Sequence, residues 1–342
     1  NAGRVLLANE PVPTNAADMP VHTDPVYTLL YSLWGQQEKP QLPLPRVLLL
    51  PWWIRENTLT ARAQQRLTLE MAKLALMRAT VIVPSGDINP AACIDISESG
   101  KIENPDVSPS MKLPYQPRNY PLPGGSSNDS FSEDKDGSRT VSPGFPAACP
   151  FAAAIASLQG HAGVPSQLRA DTASVGGFSR LSTPTPFMIA HAERFFAAAV
   201  GELPDDRDYN RDGSPFPAAA SARGFDAVVG GAAVRVCGST LAAAATSAVV
   251  AHVNAELAER QGNPVGLLTH VAAAGGAVDV VEGRSGKGEA CLESGNACSC
   301  GFPATVGWDA ASGAGVVTKE LLRRAVERAE RAGDVLTGRL DV

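Results

Sequence analysis

Two short all-apolar runs on either side of one amphipathic helix constrain this chain more than any other feature. Arg46-Val47-Leu48-Leu49-Leu50 ends at Pro51-Trp52-Trp53, and Ala79-Thr80-Val81-Ile82-Val83-Pro84 ends at Ser85-Gly86-Asp87. Neither run alternates apolar with polar residues, so both are predicted as strands buried on both faces. Between them, Thr60 to Ala79 is rich in helix formers and places Leu67, Met71 and Leu74 on one side. Strand, helix and strand in that order make a βαβ unit. The expected class is therefore α/β, with a mostly parallel central sheet flanked by helices on both faces.

Other segments extend this frame. Residues 1 to 44 carry six prolines and one apolar run with helical spacing, Val26 to Trp34. From about Asn89 to Ser142 the chain turns to Pro, Ser, Asp, Asn and Gly, which predicts a long, partly disordered surface insertion. Asn128-Asp129-Ser130 within it is a glycosylation sequon. Further on, a helix is expected near Pro186 to Val200 and a strand near Ala227 to Val236. A long Ala-rich helix from about Thr240 to Gln261 and a closing helix over Lys319 to Arg331 complete the pattern.

Composition excludes some functions. Hydrophobic residues at 44% against 19% charged allow a sizeable core, and a net charge of -6 without a basic stripe disfavours a nucleic-acid partner. Val47 to Trp53 and Leu241 to Val253 are too short or too interrupted to span a bilayer, so no transmembrane protein is expected. Asn1 is not an initiator methionine, which reads as a processed, truncated or partly represented chain.

The six cysteines are Cys93, Cys149, Cys237, Cys291, Cys298 and Cys300. They are either buried small hydrophobes or disulfide partners. The cluster 291, 298, 300 sits in a polar, Gly-rich stretch that suits disulfides and an oxidising compartment. Zinc fits poorly, because no CxxC pair or nearby His completes four ligands. His22, His161, His191, His252 and His270 share no ligand spacing.

In order along the chain come Pro51-Trp52-Trp53, Arg66-Leu67-Thr68-Leu69-Glu70-Met71-Ala72-Lys73, Ser85-Gly86-Asp87 and Phe145-Pro146-Ala147-Ala148-Cys149-Pro150-Phe151. Ser174-Val175-Gly176-Gly177-Phe178-Ser179, Gln261-Gly262-Asn263-Pro264-Val265-Gly266-Leu267-Leu268, and Gly301 to Asp309 leading into Ser312-Gly313-Ala314-Gly315 follow. Together, residues 45 to 332 resemble the sedolisins, serine-carboxyl peptidases on a subtilisin-like fold, and within them most the tripeptidyl-peptidase I kind. The resemblance makes 45–332 one sedolisin-like domain with an insertion at about 89–142. Residues 1–44 become its weakly matched N-terminal part, without the strands that precede it in the family, and 333–342 a tail. It also implies a secretory, lysosome-like or extracellular location and suggests a pairing of Cys93 with Cys291.

The resemblance further implies a structural Ca2+ held by Asp279, Val280, Thr305, Gly307 and Asp309, two carboxylates with backbone carbonyls. Its catalytic positions are altered. Gly238-Ser239-Thr240 stands for the family's G-T-S, with Thr240 in the place of the nucleophilic serine. A register shifted by one residue would make Ser239 the nucleophile, about 100° away around a helix. Gly3-Arg4-Val5-Leu6-Leu7-Ala8-Asn9 is the best match to G-x-E-A-x-L-D, so Val5 replaces the base and Asn9 the orienting acid; Glu10 enters only if the alignment shifts locally. Asp87 matches the oxyanion aspartate. Trp53, Gly176 and Gly177 stand in the substrate groove, Trp53 where the family keeps a Gly.

Valine cannot accept a proton, and threonine's methyl restricts χ1. The expectation is a catalytically degenerate protein with a structural, peptide-binding or assembly role. Two alternatives stand beside it. One is a divergent acid peptidase using Thr240; the other is a fragment whose sheet is completed by another chain or segment.

Overall fold

The two apolar runs form neighbouring parallel strands, β1 (Val47–Leu49) and β2 (Thr80–Pro84), joined through helix α1 (Ala61–Leu76). The computed structural model describes residues 45–51, 54–56, 59–87, 94–95, 131–133, 139–141, 144–160, 167–204, 206, 209–222, 225–229, 232–236, 238–286 and 301–331. Thr60 caps α1, its hydroxyl accepting from the Ala63 N–H at 3.2 Å. The helix ends before Arg78, whose φ of 59° turns the chain back toward β2.

β3 (Ala153–Gln159), β4 (Ala219–Ala222), β5 (Ala277–Val278) and β6 (Val316–Val317) complete the central sheet in the order β1-β2-β3-β4-β6-β5. All neighbours are parallel except β5, which runs antiparallel to β6. Arg169–Ala170 adds a short antiparallel pairing at the end of β3.

The pleat divides the core between two helical layers. Val81 and Val83 of β2 and Ala154 of β3 pack with Leu67, Met71 and Leu74 of α1. Ile82, Ala153 and Ile155 point the other way, onto Ala242, Ala243, Val250, Val253 and Leu257 of α3 (Ser239–Glu259) and Leu322 and Val326 of α5 (Lys319–Arg331). The small Ala242 and Ala243 let α3 lie close on the sheet. α3 is long and apolar enough to cross a membrane by length and composition, contrary to the sequence expectation, yet here it lies between sheet and helix. Two further helices matter below: α2 (Pro186–Ala198) and α4 (Leu268–Val271), the latter running through a turn at Ala272–Gly276 into β5.

Two expectations are corrected. β1 is half-buried rather than buried on both faces, and among the described residues it lies at the edge of the sheet. The single strand expected at 227–236 is a hairpin, Phe225–Val229 against Val236 to Ala232. Within the span of the expected insertion the described residues include the short strands Ile94–Asp95, Phe131–Glu133 and Arg139–Val141, the first pairing with the hairpin's second strand.

Replacing Ile82 with Ala should cost about 3 kcal/mol through lost burial and a residual cavity. Leu69→Ala, on the exposed side of α1, should stay within about 0.5 kcal/mol. Urea unfolding midpoints at unchanged m-value check both; equal shifts would contradict the two-layer core.

Candidate active site

The C-terminal end of β2 meets the N-terminus of α3. Past β2 the chain turns through Gly86 (φ 109°), and Asp87 points its carboxylate at the first turn of α3. That helix has no cap of its own, since its N-cap residue is Gly238. Asp87, 152 residues away in sequence, supplies one. Both of its carboxylate oxygens accept from the Ser239 N–H, at 2.9 and 3.0 Å, and Oδ2 also accepts from the Ser239 hydroxyl at 3.1 Å. The hydroxyl in turn accepts from the Gly86 N–H at 3.2 Å. A carboxylate here is favoured by the positive end of the helix dipole. Gly238 has φ 126°, and a Cβ there would stand 2.9 Å from Asp87 Oδ2, so the close approach requires glycine.

The two hydroxyls of the nucleophile segment are placed differently. Ser239 is wholly buried, with its proton directed at Asp87. Thr240, next in the helix, is exposed, and its hydroxyl has no hydrogen-bond partner among the described residues. Among the described residues, the exposed hydroxyl has no hydrogen-bonded base, while the hydroxyl bonded to a carboxylate is buried.

Gly176 and Gly177 lie buried beneath this region. A Cβ on Gly176 would fall 1.7 Å from the Ala310 carbonyl oxygen, and one on Gly177 3.1 Å from the Phe302 ring. Their contacts are with the strand and aromatic cluster below them: Gly177 pairs with Phe216, and Phe178 packs among Phe195, Phe196, Tyr209, Phe302 and Trp308. Ser174, just before them, bonds the Ser85 hydroxyl at 3.1 Å and accepts from the Ser157 N–H at 3.0 Å, tying three strand ends together.

Sequence reasoning missed Glu56. It is fully buried without a described cation beside it, and its Oε1 accepts from Gln64 Nε2 at 2.8 Å and from the Ser179 hydroxyl. Its Oε2 accepts from the Arg180 N–H at 2.8 Å. Ser179 also accepts from the Leu181 and Ser182 N–H groups, so Glu56 anchors the turn that follows the Gly-Gly-Phe strand. No local pattern could reveal this, because the carboxylate's partners stand 8, 123 and 124 residues away.

Asp279 and Asp309 converge on one turn. Asp279 Oδ2 accepts from the Gly307 N–H at 2.7 Å, and Asp309 Oδ2 from the Thr305 N–H at 3.0 Å. Asp309 is wholly buried, and its Oδ1 also accepts from the Ala311 and Ser312 N–H groups. Burial pushes its carboxyl up to about 7 against these hydrogen bonds, and no cationic side chain is among the groups acting on it. The Val280 carbonyl faces the same loop, accepting from the Ser312 hydroxyl at 3.4 Å.

Val5, Asn9 and Trp53 lie outside the described residues, as do residues 1–44 and 333–342, the sequon, and every cysteine but one. Cys149 is a buried free thiol, pushed up to about 11 by burial, as expected of a small core hydrophobe rather than a disulfide partner.

Asp87→Ala should lower stability by about 2 kcal/mol, because it uncaps α3 and leaves the buried Ser239 N–H and O–H unpaired. Ser239→Ala, which keeps the N–H to carboxylate bonds, should cost about 1 kcal/mol. Denaturant melts measure both, and an Asp87→Ala change below about 0.5 kcal/mol would contradict the capping role.

No family model and no curated protein matches the chain. Among solved structures it is similar to a Pseudomonas sedolisin, a serine-carboxyl proteinase complexed with two molecules of pseudo-iodotyrostatin. That match has a TM-score of 0.53 at 16% identity and covers 90% of this chain and 70% of the other. At such identity the likeness is one of fold: this chain has the mostly parallel, helix-flanked sheet of a subtilisin-like, sedolisin-like architecture.

Proposed function

We propose that this chain is a sedolisin-like, tripeptidyl-peptidase I-like pseudopeptidase that serves a structural, peptide-binding or assembly role. The observation that carries this reading is the separation of hydroxyl from base among the described residues: Thr240 is exposed with no hydrogen-bond partner among them, and Ser239, beside Asp87, is wholly buried. Nucleophilic attack needs an accessible hydroxyl with a general base within hydrogen-bond reach. Val5 and Asn9, at the base and acid positions, offer no proton acceptor of the required strength. The outer edge of β1 has no strand on it among the described residues, and a polypeptide partner or further segment completing the sheet suits that edge. A secretory, lysosome-like or extracellular setting accompanies the reading.

Thr240 also supports a second reading, a divergent acid peptidase. It stands exposed at a helix N-terminus, next to Ser239, whose hydroxyl and N–H bond Asp87. Hydrolysis of a fluorogenic tripeptide and of denatured protein between pH 3 and 7, with Thr240→Ala alongside, separates the two. The wild type should be silent; turnover that Thr240→Ala abolishes would replace the first reading with the second.

Calcium belongs to the same proposal. Asp279 and Asp309, with the carbonyls of Val280, Thr305 and Gly307, form a donor set of hard oxygens that suits Ca2+. A buried carboxyl raised to about 7 supports it, since a cation supplies the charge that burial withholds. Without a cation, Asp309 gives up stability as pH rises from the usual carboxylate range through about 7, because the folded form must then bury a bare charge. Excess Ca2+ at pH 7.5 should therefore raise Tm by several degrees over EDTA, on the order of 2–3 kcal/mol at a hundredfold excess over Kd. At pH 5.5 the gain should shrink, because calcium must displace a proton. Asp309→Asn should abolish it, and identical melts with calcium and EDTA at pH 7.5 would remove calcium from the proposal.

A further inference from the structure

Helix α2 meets the short helix α4 through one aromatic stack. Phe187, in the first turn of α2, lies against two imidazoles. His191, one turn along the same helix, is 4.5 Å from it between ring centroids. His270 of α4 is 4.0 Å away, with the ring planes only 25° apart. All three rings are half-buried.

Charge around the stack has one sign. Arg194 acts on His191 from α2 itself, and His191 acts on His270 across the ring. From α5, Arg328 reaches the turn that follows α4, donating to the Ala274 carbonyl at 3.4 Å. No carboxylate is among the groups acting on either imidazole. Burial, helped by His191, holds His270 down to about 4, and burial with Arg194 lowers His191 as well.

We propose that the His191–Phe187–His270 stack is an acid-released latch, in which neutral imidazoles hold α2 on α4 and protonation in a mildly acidic compartment frees that contact. One imidazolium is attracted to the face of a phenyl ring, but here it must first be desolvated. A second on the same ring adds repulsion, Arg194 acts on His191 in the same sense, and no carboxylate is among the groups acting on either ring. What is freed is specific. α2 carries Phe195 and Phe196 into the aromatic cluster beneath Gly177, and α4 leads through its turn to β5 at the sheet edge. Neither sequence spacing nor ligand geometry singles out these histidines, since 79 positions separate His191 from His270 (270 − 191).

The pH window follows from the direction of the shifts. Both imidazoles bind protons more weakly in the closed form than when free, so opening takes up protons. The contact is fully stable above the ordinary histidine value of 6.5 and weakens as pH falls toward 4. For His270 alone, the opening equilibrium should rise roughly thirtyfold between pH 7.5 and pH 5.

Hydrogen exchange of the full chain, corrected for the intrinsic pH dependence of exchange, tests the latch. Peptides covering 186–200 and 266–278 should lose protection as pH falls from 7.5 to 5, while α3 keeps its own. His270→Gln, of similar size but not titrating, should reduce that dependence to about threefold or less. An unchanged dependence in the variant would overturn the proposal, as would a wild type flat with pH or equal loss across α3. Should His270→Gln fail to fold, the ring-proton NMR titration of His270 in the wild type decides instead. A midpoint between pH 4 and 5 supports the latch, and one at or above 6 overturns it.

Discussion

The carboxylate of Asp87 at the head of α3 joins the two halves of the structure. It stands at the end of β2, whose residues are the most deeply buried of the described sheet, and it closes the open first turn of the helix covering that sheet. A 21-residue helix brings substantial positive potential to its N-terminus, and α3 has no acidic residue in its own first turn. The cap must therefore come from elsewhere. Gly86 and Gly238 give the backbone freedom to bring it within hydrogen-bond distance, and Ser174 and Ser85 lock the same end of β2 to β3. Sheet, helix and candidate site share this one junction.

The junction also explains why neighbouring residues have such different chemistry. Consecutive side chains on a helix point about 100° apart. Because Asp87 captures both the N–H and the hydroxyl of Ser239, that side chain is fixed inward and Thr240 is turned to the surface. Buried serines, glycines and Glu56 then form a rigid polar floor whose hydrogen bonds are spent on one another.

Local physics made part of this legible in the sequence. β1, α1, β2 and α5 follow directly from apolar runs and helical periodicity, and the predicted Lys319 to Arg331 matches α5 at both ends. The half-exposure of β1 was not legible, because an edge strand and a central strand share one apolar pattern. In the hairpin at 225–236, Gly230-Gly231 was the available signal, and a continuous apolar reading ran across it. Within the site, the identity of Thr240 and Asp87 could be read from their motifs, but not the direction of their side chains. Glu56 and the His191–Phe187–His270 stack depend on contacts between segments dozens to more than a hundred residues apart, so only the folded chain displays them.

Burial without a counter-charge recurs at three places, with different consequences. Glu56 is met by three donors. Asp309 is also surrounded by donors, yet desolvation still outweighs them and raises its carboxyl, which leaves a demand for positive charge in a loop that Asp279 also faces. His270 is opposed first by burial and then by His191, with no carboxylate among the groups acting on it, so it resists the proton until the pH is low. At Asp309 and His270 alike burial works against the charged form, so each couples the fold to the protons that the solvent supplies.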